Sequence, residues 1–192
     1  MALPDSAKYI DGTAFVFAYA TDWAGGTVGW SSTVDGEVNL NSLADGSYRE
    51  TAKVDLTANR DVEYKVEVSW ETDTDATAGS TVDVYVGYSD SATAGTGNPA
   101  GLTGADGAYT GGTGGTAATG ITGLEWAGSF ICQATQDTDG PQVQHVGTIR
   151  PRGRYAMLVI GNNSGATAGS GGAGTADECA VRLVGQHLQL QD

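Results

Sequence analysis

The chain is poor in basic residues and in histidine. Among its 192 residues, nine are Lys or Arg and two are His, against 23 Asp and Glu, so the formal net charge is −14 and the pI is near 4.2. Nucleic-acid binding needs a basic patch that displaces counterions, and anionic membrane surfaces also repel a polyanion. We therefore expect no nucleic-acid partner and no membrane partner. The charge suits a protein that stays soluble alone, docks on a basic surface or binds cations.

Long apolar segments and cysteines are also scarce. No apolar run approaches the ~20 residues of a transmembrane helix. Residues 1–12 do not combine a basic region with an apolar segment, so we expect no signal peptide and folding in a cytoplasm. The two cysteines, Cys132 and Cys179, fall in predicted strands and are expected to be small core residues. Whether they form a disulfide stays open.

Length and composition predict one globular domain. A chain of 192 residues can bury roughly 70% of its unfolded surface, so it needs no metal or disulfide to fold. Hydrophobic residues make up 40% of the chain and there are 30 glycines, which indicates an apolar core with loop-rich connections. We expect an N-terminal arm at residues 1–12 and a single β-sandwich domain at residues 13–192.

Alternating and continuous apolar runs predict an all-β fold. Residues 62–70 and 82–88 alternate with a period of two, with Val62, Tyr64, Val66, Val68 and Trp70 expected to point inward. The order of the two runs suggests neighbouring antiparallel strands joined by an acidic loop. Residues 154–161, RYAMLVIG, form a continuous apolar run after the leading arginine, as in a central strand buried on both faces. We expect a bulge near Ala127 and Gly128. With about eight strands and no sustained helical spacing, the fold class is an antiparallel β-sandwich or jelly roll with long Gly-rich loops.

Two long stretches, 89–123 and 162–177, have no sustained periodicity. An insertion as long as 89–123 is unusual in a compact domain, so it is either functional or packed over the sheet. Leu102 and Tyr109 are the residues that can pin it down, and the GGTGG tract at 111–115 has the composition of a flexible tip.

The sequence contains no motif that indicates catalysis. His145 and His187 have no second ligand at metal spacing, and Cys132 would need a distant His to act as a nucleophile. The DTDG turn at 137–140 resembles the start of a calcium loop, but no acidic residue stands at the twelfth position, and Asp73 with Asp75 forms a similar weak pair. We expect no catalytic residue, metal or cofactor, although calcium binding at these turns stays open.

Arginine and tryptophan offer the candidate contact residues. Arg150, Arg152 and Arg154 hold a third of the nine basic residues, and they indicate either an inter-subunit contact with carboxylates or pairing with this chain's own acids. Of the four tryptophans, Trp70 is expected in the core and Trp23, in a turn, is expected to be exposed and available for sugar stacking.

Residues 85–110, YVGYSDSATAGTGNPAGLTGADGAYT, resemble a family of small structural proteins of tailed-bacteriophage virions. The family pattern is an aromatic strand, then S-x-S-A-T-A-G-T-G-N-P-G-G, then S-G-x-D-x-x-Y. The segments GSF at 128–130 and VQHVGTIRPRGRYAMLVIGNNSG at 143–165 are similar to its second half, so the likeness covers roughly residues 47–185. The departures are mild: Ala100 where Gly is usual and Thr103 where Ser is usual. The family brings no catalytic residues.

The resemblance implies a virion component, assembled in the host cytoplasm. We expect a decoration or cement protein that stabilises the head, with the major capsid protein as partner and symmetric self-association into a homo-oligomer. The expected interface residues lie in the loops and the arginine cluster: Arg150, Arg152, Arg154, Asn98, Pro99, Tyr109 and Trp23. The alternatives are an adaptor or a receptor- or glycan-binding module on the collar, tail or fibre, and an enzyme acting on cell-wall polysaccharide with two opposed carboxylates.

Overall fold

The computed structural model describes residues 8–25, 28–56, 61–135, 141–169 and 179–189, and this part of the chain is almost entirely β-structure. Its elements are β1 (Lys8–Ala18), β2 (Gly36–Glu37), β3 (Ser47–Glu50), β4 (Val54–Asp55), β5 (Glu63–Trp70), β6 (Thr81–Ser89), β7 (Gly107–Ala108), α1 (Ala117–Gly120), a 3-10 turn (Ile121–Gly123), β8 (Glu125–Ile131), β9 (Gln142–Ile149), β10 (Tyr155–Asn163) and β11 (Ala180–Gln189). Three of the eleven strands have two residues each, which is too short to leave a period in the sequence.

The strands form two sheets that pack face to face. One sheet, called here the β11 sheet, has the order β2-β1-β11-β5-β9. The other, the β10 sheet, has the order β7-β3-β10-β6-β8, with β4 also paired to β10. Every pairing is antiparallel except that between β1 and β2. The prediction of an antiparallel β-sandwich is confirmed.

The inward faces of both sheets form one apolar core, as the alternating runs predict. In β6, Val82, Val84 and Val86 are at most 1% exposed, and in β5 the inward residues from Tyr64 to Trp70 are fully buried. β10 is buried along its whole length except at Asn163, because it is central in its sheet and both faces are covered. The prediction of a central strand here is confirmed.

Two predictions about strands β5 and β6 are wrong. They are not neighbours: β5 lies between β11 and β9, whereas β6 lies between β10 and β8 in the opposite sheet. The segment 71–80 therefore crosses from one sheet to the other instead of closing a hairpin. Alternation records which face of a strand is buried, and it carries no information on the pairing partner. Val62, expected to point inward, precedes β5 and is 63% exposed.

The first strand begins earlier than predicted. β1 starts at Lys8, so residues 8–12 belong to the β11 sheet and not to an arm, whereas residues 1–7 lie outside the described residues. The register between β1 and β11 shifts between Asp11 and Ala14. This irregularity interrupts the alternation around Gly12 and hides the start of the strand in the sequence.

The predicted bulge in β8 is confirmed. Trp126 pairs with Tyr85 and Gly128 pairs with Val84, so Ala127 is the extra residue. β8 and β9 are the edge strands of their sheets on the same side of the sandwich, and the amide of Gln144 donates to the Ile131 carbonyl (2.8 Å) and accepts from its N–H (3.1 Å). This side-chain bridge covers an edge that would otherwise offer unpaired backbone groups. Within the described ranges, no helix has the length and apolar character needed to cross a membrane.

Candidate functional site

The long loop between β6 and β8 packs over the outer face of the β10 sheet. Leu102 and Tyr109 are 5% and 3% exposed, and with Met157 and Val159 of β10 they form a second apolar cluster, called here the loop core. Other loop and sheet residues pack against it: Tyr48, Tyr85, Ala117, Ile121 and Leu124. The prediction that Leu102 and Tyr109 hold the loop is confirmed, and the loop is a layer of the fold.

Gly87 of β6 allows the loop to lie this close to the sheet. A Cβ atom at this position would lie 2.5 Å from Cδ1 of Leu102 and 3.0 Å from Cγ of Pro99. Both distances are shorter than ordinary carbon–carbon contact, so any larger residue would lift the loop. The sequence feature that records this contact is a glycine in the middle of an otherwise β-branched and aromatic strand.

An ion pair fixes the middle of the loop to β3. Arg49 donates from Nε and Nη2 to the two carboxylate oxygens of Asp106, each at 2.6 Å, and the backbone N–H of Asn39 donates to Asp106 Oδ1 at 3.1 Å. The Asp106 carboxylate raises the pKa of the Arg49 guanidinium above its ordinary value. Two parallel bonds from a planar donor fix both the position and the angle of the loop.

A buried carboxylate lies beside this ion pair. Glu50 is only 3% exposed, and its Oε2 accepts from the backbone N–H of Thr103 at 2.7 Å. Burial raises the pKa of Glu50, and the hydrogen bonds from Thr103 and Gly104 oppose this effect. The carboxylate thus satisfies backbone donors of the loop that would otherwise face an apolar sheet.

The first part of the loop wraps around a lysine. The Lys53 ammonium donates to the carbonyl oxygens of Ser91 (2.8 Å), Thr93 (2.8 Å) and Thr96 (3.0 Å). It also lies 3.3 Å from the hydroxyl of Ser89. A ring of carbonyl oxygens is a usual cation site, and here the chain's own ammonium fills it.

The anchored loop leaves two tips exposed, at residues 92–97 and 113–116. The second tip is closed by a capping box in which Thr116 Oγ1 accepts from the N–H of Thr119 and Thr119 Oγ1 accepts from the N–H of Thr116. Gly101 and Gly112 approach so closely that a Cβ on either would meet the other's backbone. The loop therefore presents small, uncharged side chains in a fixed shape, which suits surface recognition more than chemistry.

The three clustered arginines each pair with an acid of this chain. Arg150 lies 3.5 Å from Glu63, Arg152 lies 3.3 Å from Glu125, and Arg154 lies 2.8 Å from Asp55. The side chains of Arg150 and Arg152 are 79% and 75% exposed, so these are weak surface pairs that leave the guanidinium groups accessible. Of the two hypotheses, local pairing is the one that the contacts favour, and the inter-subunit contact stays a prediction.

Tyr109 and Asn98 act inside the loop. The Tyr109 hydroxyl donates to the carbonyl of Ala100 at 2.7 Å, and the side-chain amide of Asn98 donates to the carbonyl of Leu102 at 2.9 Å. Pro99 is half-buried above Gly87. These residues shape the loop from within, and a contact with another subunit would involve the neighbouring tips.

The expectation that Trp23 is exposed is wrong. Trp23 is 7% exposed, and its indole N–H donates to the carbonyl of Ser31 at 2.8 Å. It packs beside Trp30 in an apolar cluster on the outer face of the β11 sheet, because residues 19–25 and 28–35 fold back over that face. Trp70 is in the core as predicted, and Trp126 is the exposed tryptophan, at 62%.

Among the remaining candidates for chemistry, the two cysteines and Asp73 have structural roles. Cys132 and Cys179 are buried, as expected of core residues, and burial raises the pKa of Cys132. Asp73 Oδ1 accepts from the N–H of Thr167 at 3.1 Å. Across the residues that the structure describes, no three His, Cys, Asp or Glu side chains converge as a metal site would require. The turn at 137–140 lies outside those residues.

Comparisons of the chain with protein-family models, with curated proteins and with solved structures find no match. The geometry of the loop and the resemblance of residues 85–110 to virion proteins are the two indications of function.

Proposed function

We propose that the chain is a non-enzymatic structural component of a tailed-phage virion, a decoration protein that binds the outer surface of the head and stabilises it. The observation that supports this proposal is the anchored loop at 89–123. A buried apolar cluster, a bidentate ion pair and a lysine with three carbonyl partners hold it, yet both of its tips face outward. An irregular segment that is stabilised by so many contacts is suited to binding a partner through a preorganised, complementary surface.

A fixed loop lowers the entropic cost of docking. Ordering a flexible segment costs about 1–2 kcal/mol per residue, and a loop that is already fixed avoids this cost on binding. A specific interface needs roughly 1,000 Å² of buried surface, so the two tips and the adjoining sheet surface would be buried together. The proposed partner is the major capsid protein, and symmetric sites on a particle favour a homo-oligomer of this chain.

The test is binding of the purified protein to heads that lack it. Thr113→Arg places a large charge at the exposed second tip, Ala118→Arg places one beside it on α1, and Thr148→Arg places the same charge on an exposed position of β9 in the other sheet. Co-sedimentation should fall at least tenfold for the two tip variants and stay unchanged for the control. All three variants should melt like the wild type, since none of these side chains is buried.

Equal binding by all the variants would contradict a docking role of the tip. Deleting residues 111–116 is a poorer test, because it removes Thr116, which caps α1, and Gly112, which packs on Gly101.

A position on the collar, tail or fibre is the second candidate. The observation that favours it is the exposed Trp126, since large exposed aromatic side chains commonly mark a recognition surface. In that position the chain would act as an adaptor or a receptor-binding module.

A further inference from the structure

The outer face of the β10 sheet is only partly covered by the 89–123 loop. The loop core lies over Met157 and Val159, while Trp126, on the edge strand β8, stays 62% exposed. The three other tryptophans are at most 8% exposed. A tryptophan this exposed on a β-strand is uncommon, and exposed aromatic side chains often mark a binding surface.

Two tyrosines, each half-buried against the loop core, lie on the same face as Trp126. Tyr85 pairs with Trp126 across β6 and β8, and it points outward because its neighbours Val84 and Val86 point into the core. Tyr48 of β3 lies over Gly161 of β10, where a Cβ would be only 2.5 Å from its ring. Neighbouring strands are about 4.8 Å apart, so Tyr85 and Trp126 are one strand spacing apart. Tyr48, on β3, lies two strands from Tyr85 on the side away from Trp126.

Polar groups lie beside these rings on the same face. Asp83, on the same face of β6 as Tyr85, accepts hydrogen bonds from the hydroxyl of Ser129 and, at 2.9 Å, from the amide of Asn163. The hydroxyl retains its lone pairs after donating, and the amide has a second N–H and a carbonyl oxygen. The face therefore carries both donors and acceptors, held in place by their mutual bonds.

We infer that this surface, formed by Tyr48, Tyr85 and Trp126 with Asp83, Ser129 and Asn163 and called here the aromatic platform, binds an uncharged oligosaccharide. Sugar rings present apolar C–H faces that stack on aromatic rings, and their hydroxyl groups bond to carboxylate, hydroxyl and amide groups. Three rings spread over four adjacent strands match a short chain of sugar units better than a single small molecule.

The negative charge of the platform and of the chain argues against an acidic glycan, a nucleic acid or a second copy of the chain as the ligand. The platform includes a carboxylate and no basic side chain, and the chain has a net charge of −14, so an acidic glycan or a nucleic acid would be repelled. A second copy in a two-fold contact centred here would bring two Asp83 carboxylates together. The inference does not depend on where on a virion the protein sits.

The test is binding to an array of neutral plant, bacterial and animal glycans, followed by titration of the best ligand against the full chain. Acrylamide quenching should report mainly Trp126, since the other tryptophans are buried, and the ligand should protect it. Trp126→Ala should weaken binding at least tenfold, Trp126→Phe should recover part of the loss, and Asp83→Asn should alter which hydroxyl patterns bind.

The matched control is Val143→Ala, which removes an exposed apolar side chain (43%) from β9 in the other sheet and should leave binding unchanged. No binding to any neutral glycan, or equal binding by the Trp126→Ala variant, overturns the inference. Self-association of the wild type that Trp126→Ala abolishes, measured by sedimentation velocity, also overturns it and assigns the platform to a second copy.

Discussion

Replacing Asp106 by alanine should release the centre of the 89–123 loop from the sandwich. The substitution removes both hydrogen bonds from Arg49 (2.6 Å each) and the bond from the backbone N–H of Asn39 (3.1 Å). It leaves the Arg49 guanidinium, whose side chain is 27% exposed, without the carboxylate that raises its pKa. A half-buried charge that loses its partner is destabilising even where the intact pair contributes little.

The expected loss of stability follows from these contacts. A backbone hydrogen bond to a charged carboxylate contributes about 1.5 kcal/mol, and an ion pair with this partial burial contributes about 2 kcal/mol, between the values for exposed and for buried pairs. The Asp106→Ala variant should therefore lose about 3.5 kcal/mol in free energy of unfolding, a fall in Tm of about 7–14 °C for a chain of this size. Asp106→Asn keeps an acceptor and should lose about half as much.

Urea unfolding and native-state hydrogen exchange measure this effect together. Exchange should accelerate at Gly107, Ala108 and Tyr109, which bond to β3, and less in the core strand β6. The control is Asp90→Ala, which removes an exposed carboxylate with one long bond to the N–H of Arg154 (3.3 Å) and should change stability by under about 0.5 kcal/mol. An Asp106→Ala variant that behaves like this control would refute the reasoning.

Two further predictions concern the contact between loop and sheet. Gly87→Ala should cost about 1–3 kcal/mol in urea unfolding by pushing Leu102 away, whereas Gly107→Ala, with nothing within 4 Å of its new Cβ, should cost almost nothing; equal effects would contradict the close packing. Burial raises the pKa of Glu50, so the folded state holds this proton more tightly than the unfolded state. The wild type should therefore lose stability relative to Glu50→Gln as the pH rises above about 4.3, and a pH-independent difference would contradict this.

Periodic patterns in the sequence predicted the scaffold well, for a physical reason. Alternation in β5 and β6 and the continuous apolar run in β10 record burial on one or both faces, and burial is a property of each strand taken singly. The covering of the sheet by the long loop was also predictable, since Leu102 and Tyr109 are large apolar residues in a stretch of otherwise small residues.

Properties that depend on distant parts of the chain were not predictable. β5 and β6 lie in opposite sheets because they pair with β11 and β10, strands that come much later in the chain. Trp23 is buried because its turn folds back onto the sheet, which a local turn signal does not reveal. Arg49 and Asp106 are 57 positions apart, so no local pattern connects them. The local sign of a polar anchor in β3 was the carboxylate of Glu50, which lies on the same side of the strand as the apolar ring of Tyr48.

The central proposal, a decoration protein on a virion head, is tested most directly by immunogold labelling. The proposal implies a tailed phage as the source, and intact particles of that phage would be labelled with antibody to the purified protein, with particles from a deletion mutant as the control. We predict dense label over the whole head of the wild-type particles and none on the control. Label confined to the neck or tail, or no label on particles from cells that express the protein, would contradict the proposal.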